Sequence, residues 1–179
     1  MNRKTIFLIA SALVMFNCAF PSTREGMRVT DFKAPKKVGD KIYINESVGG
    51  SITLPFWMSK ISDEEFTAAV KESVAAAGLF ETLEEQFGNN WHLKIEIVDV
   101  DRPLFGTTFT VKTKIKYTLS KGTQVISELL VDESGEATMG DALIGVKRMR
   151  LANENSARAN IKKFLEEVSK VQVKAPGKK

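Results

Sequence analysis

Cysteine and histidine are almost missing from this chain: Cys18 and His92 are the only ones in 179 residues. A structural or catalytic zinc ion needs three or four His, Cys or carboxylate ligands, so a thiolate or imidazole zinc site is excluded. Serine–histidine or cysteine–histidine catalysis would have to run through His92, which lies beside Lys94 and Glu96 in an alternating stretch and reads as a solvated strand residue. The phosphate-binding Gly-x-x-x-x-Gly-Lys and Gly-x-Gly-x-x-Gly patterns and the acylating Ser-x-x-Lys pattern do not occur. Gly49-Gly50 precedes an expected strand and so lacks the helix N-terminus that holds phosphate. An excess of charge is lacking too. The formal charge is +4, and without Arg3 and Lys4 the 24 basic residues face 22 acidic ones, or +2. That balance is too nearly neutral to argue for nucleic acid, and no nucleic-acid partner is expected. Neither a cofactor nor a metal is expected.

What is present begins with an export layout. Asn2-Arg3-Lys4 is a basic start, and residues 6–16 (IFLIASALVMF) form an unbroken run of apolar and small residues. Eleven helical residues rise only about 16 Å, half of a bilayer core, so the run fits a secretory signal and not a span. Cys18 follows at once. The segment resembles a bacterial lipoprotein signal, in which a peptidase cleaves before the cysteine and the thiol receives acyl chains such as palmitate; Met15 and Asn17 stand where that pattern has Leu and Gly or Ala. Cleavage after Ala19 by ordinary signal peptidase, or a retained helix with a buried thiol, are the alternatives. Acylation would consume a thiol otherwise left free in an oxidising compartment, and each buried CH₂ adds about 0.8 kcal/mol of anchoring. Ala19 instead of Asp after the cysteine points to the outer membrane over the inner one by the same resemblance.

The chain divides into a signal peptide over residues 1–17, a lipidated cysteine and flexible tether over 18–45, an α/β domain over 46–171 and a basic disordered tail over 172–179. Pro21, Gly26, Pro35 and Gly39 with few regularly spaced apolar residues suggest the tether, within which residues 41–45 (KIYIN) alternate briefly. Ile52, Leu54, Phe56 and Met58 have strand spacing, with Pro55 marking an edge. Ser62 caps a helix, Glu65 completes a capping box, Phe66, Ala69, Val70, Ser73, Val74 and Ala77 make its buried face, and Gly78 ends it. Residues 81–87 read as a helical turn or loop. Alternation then predicts strands over 91–97, 109–119 and 124–131, the first two with charge on one face. A final helix runs from near Asp141 to about Val171. The expected fold is α+β, a two-layer sandwich in the order β-α-β-β-β-α, with two helices on one face of a mainly antiparallel four-stranded sheet.

Three groups of residues are candidates for function. Asp99, Asp101 and Asp132, with Glu133, sit at strand ends and would serve a carboxylate hydrolase or a cation site only if they converge. Lys112, Lys114 and Lys116 share one strand face and, with Trp57, mark a binding surface for an anionic or amphiphilic molecule, or a solubilising face paired with Glu96 or Glu128. Arg150, Asn153 and Asn160 fall on the apolar stripe of the last helix, where buried polar groups need partners, for instance in residues 101–106. Glu154 and Arg158 read as a surface i,i+4 pair.

Residues 49–62 (GGSITLPFWMSKIS), 101–106 (DRPLFG) and 148–168 (RMRLANENSARANIKKFLEEV) resemble uncharacterised bacterial envelope lipoproteins with a Gly-Gly…Pro-Phe-Trp segment and a terminal Arg-x-x-x-Ala-x-Glu helix. More loosely, an anchor before this element order resembles lipopolysaccharide-assembly or transporter-auxiliary lipoproteins. The resemblance implies no catalytic set. It implies a non-enzymatic accessory domain, held to a membrane through its lipid, that meets an envelope protein or lipid.

Overall fold

Ser62 starts a helix because its Oγ accepts the Glu65 N–H at 3.3 Å, and Gly78 stops it in the left-handed conformation at φ 70°. The capping box is only half made: the Glu65 carboxylate takes the backbone N–H of Arg24 at 2.7 Å. A computed structural model describes residues 20–54, 58–85, 88 and 90–171; the signal segment with Cys18, Trp57 and the tail 172–179 lie outside these residues. The described elements are α1 (Arg24–Met27), β1 (Gly39–Ile44), α2 (Asp63–Ala77), β2 (Phe80–Glu84), β3 (Trp91–Asp101), β4 (Phe109–Lys121), β5 (Gln124–Ala137) and α3 (Gly145–Ser169).

The fold class is α+β, but the sheet has five strands and is mixed, in the order β2-β1-β3-β4-β5. β1 lies parallel to both β2 and β3, while β3, β4 and β5 are antiparallel. This corrects the expected four-stranded, mainly antiparallel arrangement. Residues 51–54 are not a strand. Their excursion is closed by Ser51 N–H on the Ile61 carbonyl at 2.8 Å and Lys60 N–H on Thr53 Oγ1 at 2.8 Å, which leaves no ladder to a neighbour. The inner slot goes instead to β1, whose Ile42 and Ile44 are buried opposite Trp91 and Leu93.

The expected tether is a second correction. Residues 20–38 strap the surface of α2, with Met27 and Val29 fully buried. Val29 N–H bonds Ser73 Oγ at 2.9 Å, Ala34 N–H the Ala77 carbonyl at 2.9 Å, and Val38 N–H the Leu79 carbonyl at 2.7 Å. A strap buries single side chains without a period, which is why it reads as linker in sequence.

Both long helices cover one face of the sheet. Phe66, Val70 and Val74 of α2 and Ile161, Phe164 and Val168 of α3 join Leu93, Ile95, Ile115, Tyr117 and Leu119 in one core. Phe109, Val111, Ala137, Met149 and Ala152 form a smaller core where β3 ends and β4 begins. The other face carries Lys94, Glu96 and Lys112 into solvent. His92 lies on that face but is 4% exposed, next to Tyr43 with ring centroids 6.5 Å apart, so the expectation of a solvated histidine fails. The neighbouring parallel strand covers it.

Candidate functional site

Arg150, Asn153 and Asn160 have partners, but three separate sets of them. Asn160 is fully buried; its Nδ2 donates to the Thr113 and Val131 carbonyls at 3.0 Å each, and its Oδ1 accepts from the Tyr117 hydroxyl at 3.0 Å. Burial pushes the Tyr117 hydroxyl pKa well above its ordinary value. Asn153, also fully buried, donates to the Ser59 carbonyl at 2.8 Å and accepts from Arg102 Nε at 2.9 Å, which ties residues 101–106 to the helix. Arg150 is half-buried with Nε 3.6 Å from Glu154. These side chains are structural rivets and do not line a shared cleft.

Glu154 is the residue that sequence reasoning misplaced. It is 3% exposed and accepts from Thr23 N–H at 2.9 Å and Thr23 Oγ1 at 3.0 Å, while Arg158 turns away to the Gly26 carbonyl. The expected surface pair is thus a buried acid holding the N-terminal strap. Thr113 was missed as well. Its hydroxyl meets Ser156 Oγ at 2.9 Å, and the available signal was a threonine in the inward register between Val111 and Ile115.

The strand-end acids do not converge. Asp99 and Asp132 stand opposite Lys114 on either side of it, and Asp101 stands opposite Lys112. Two strand spacings put roughly 10 Å between the Asp99 and Asp132 backbones, with a cation in the gap. Lys114 pairs with Asp132 at 3.4 Å and Lys116 with Glu128 at 3.0 Å. No cluster of three or more metal-ligating side chains occurs among the described residues. The hydrolase or cation-site reading therefore loses its geometry, and two of the three lysines serve cross-strand pairing on a wet face.

At the end of the sheet where β3 gives way to β4, three loops come together. Residues 58–60 are fastened by Asn153 to Ser59 and by the Lys60 N–H to Thr53 Oγ1 of residues 51–54, and Met58 packs on the smaller core. Residues 102–108 and 138–144 are joined by Arg148, whose guanidinium reaches the Gly106 carbonyl at 3.2 Å and the Ala142 carbonyl at 2.8 Å and lies 4.8 Å from the Phe109 ring centroid. These loops expose Ile52, Leu54, Leu104, Phe105, Leu143 and Ile144, with Phe105 at 88% and Leu143 at 81%. Beside them a cleft of about 170 Å³, lined by Gly50, Ile97, Asp99 and Arg102, is smaller than a drug-sized ligand needs. Burial lowers the Arg102 pKa from its ordinary value and Asp99 opposes that shift, so the guanidinium stays charged at the cleft wall.

No family model and no curated protein matches the chain. A solved protein from Xanthomonas campestris assigned to the family DUF330 has the same fold, with a TM-score of 0.62 at 9% identity over 83% of this chain and 92% of that one. A hypothetical protein from Chlamydia trachomatis aligns with a TM-score of 0.49 at 7% identity over 73% of this chain and 94% of that one. A minor lipoprotein from Acinetobacter baumannii aligns with a TM-score of 0.48 at 9% identity over 75% and 93%.

Proposed function

We propose that the chain is a non-enzymatic, lipid-anchored protein of the bacterial envelope, an accessory domain that works on a partner protein or an amphiphilic envelope molecule at a membrane. The observation that carries this reading is the join between signal and body. An apolar run of signal length, residues 6–16, stops one residue before the only cysteine, and the buried Ser22 follows four residues after that cysteine. Acylation there holds the domain against the bilayer, and the outer membrane is the expected destination.

The reading without catalysis has its own support: Asp99 and Asp132 stand on either side of Lys114, which pairs with Asp132 at 3.4 Å, so the two carboxylates do not face each other across a shared site. The test is mass spectrometry of the native mature chain. A mature amino terminus at a triacylated Cys18, with the protein in the membrane fraction, is the expected result. A polypeptide that still starts at Met1 and stays in the cytosol overturns the reading. Crosslinking of the anchored protein in intact envelopes, followed by purification, then identifies the partner.

A further inference from the structure

The described N-terminal residues enter the body beside the loops at the β3–β4 end. Ser22 N–H donates to the Lys60 carbonyl at 3.3 Å and Ser22 Oγ lies 3.4 Å from Ser59 Oγ, so the chain joins the body against residues 59 and 60. Thr23, the next residue, is held by Glu154. From Glu154 up to Gly145, where α3 meets the loops, the helix climbs nine residues, or about 14 Å. The four steps from Ser22 back to Cys18 span at most about 14 Å when fully extended. That reach is enough for an extended segment to bring Cys18 to about the level of Gly145, at the base of these loops. The Gly122 turn at the opposite end lies a 13-residue strand away, roughly 40 Å.

We propose that this end, bearing Ile52, Leu54, Leu104, Phe105, Leu143 and Ile144, is a membrane-contact face that dips into the headgroup region of the bilayer beside the Cys18 lipid; the inference rests on the reading that Cys18 is acylated. The side chains are carried on protruding loops and not in a groove, a shape that suits a fluid interface. The charge agrees. The first turn of α3 has no acidic residue and exposes Lys147, so the positive helix end points toward lipid phosphates. Asp141, the acid nearest that turn in sequence, is exposed, with its carboxylate engaged by the Thr138 N–H at 2.7 Å and the Thr138 hydroxyl at 2.8 Å. Arg148 holds two of the loops at a common level, so their tips can enter together.

The experiment uses the full-length acylated protein in vesicles of phosphatidylethanolamine and phosphatidylglycerol at 3:1. Because Cys18 is the only cysteine, Phe105→Cys, Leu143→Cys and Thr123→Cys each supply one free thiol for an environment-sensitive fluorophore. Labels at 105 and 143 are expected to shift to the blue and to be quenched several-fold more by nitroxide-bearing lipids than the label at 123. Equal, water-like signals at all three positions on protein that floats with the vesicles overturn the contact face and leave the anchor standing. Protein that fails to float overturns the anchor instead. Shielding at 105 and 143 in native envelopes but not in vesicles overturns the lipid assignment in favour of a protein partner. The Phe105→Asp/Leu143→Asp variant, altered only at exposed sites, is expected to keep its thermal midpoint and its flotation, and to lose the shielding of a label at Leu54→Cys.

Discussion

The Tyr117 hydroxyl donates to Asn160 Oδ1 at 3.0 Å while the Tyr117 ring stacks on Phe164 with centroids 4.2 Å apart. One residue of β4 is thus held by α3 through both a polar and an apolar contact, in the centre of the core. Asn160→Leu strands the hydroxyl and two carbonyl bonds, and is expected to destabilise the protein by about 2–4 kcal/mol. Tyr117→Phe strands less and is expected to cost about 1–2 kcal/mol. Denaturant unfolding of both single variants and the double variant should show a double loss smaller than the sum, because both remove one shared bond.

The same hydroxyl makes a pH prediction. Its folded-state pKa is raised by burial above the ordinary value of 10. Above that unfolded value the unfolded chain loses the proton and the folded chain keeps it. Stability is therefore intact below about pH 10 and falls as pH rises toward the folded pKa, at up to about 1.4 kcal/mol per pH unit. The difference between the parent and Tyr117→Phe, followed by unfolding from pH 8 to 11, isolates this slope from the lysines. A parallel pair of curves overturns the prediction.

Gly135 faces the helix at a point where a Cβ would come 2.0 Å from Ser156 N and 2.5 Å from the Asn155 carbonyl carbon. Both atoms belong to backbone, so neither can swing aside. Gly135→Ala must push α3 off β5 and is expected to cost about 3 kcal/mol, at the upper end for overpacking. Thermal unfolding should show a midpoint lower by roughly 6–12 °C for a domain of this size.

Met27→Ala separates a strap from a tether. A side chain on a tether contributes nothing to stability, whereas the fully buried Met27 is expected to cost about 2–5 kcal/mol on truncation. A thermal midpoint unchanged within 1–2 °C, by the scale of about 2–4 °C per kcal/mol, would return residues 20–38 to the status of linker.

Much of the architecture was legible where periodicity is local. The Ser62-to-Gly78 helix, the three antiparallel strands and the long last helix each bury one face, and one-faced burial writes a period of 3.6 or 2 into the sequence. Residues 51–54 show the limit. Ile52 and Leu54 alternate as a strand would, yet both are exposed on a loop. Residues 81–84, part of a stretch whose pattern fits a helical turn or a loop, supply most of β2, a strand of only five residues at the sheet edge. The polar stripe on the last helix was visible as an anomaly, and its need for partners followed from the cost of burying amide groups. Which partners those were did not follow.

By itself the sequence determined which catalytic and phosphate-binding motifs it does not contain, and every element whose burial repeats with a fixed period. Only the tertiary structure decided that β1 enters between β2 and β3, that Lys114 parts Asp99 from Asp132, that Glu154 is buried against Thr23, and that three loops distant in sequence expose apolar tips at one end. The reason is physical. A period records which face of an element is dry. Partners distant in sequence are selected by the packing of whole layers, and no local pattern registers that choice.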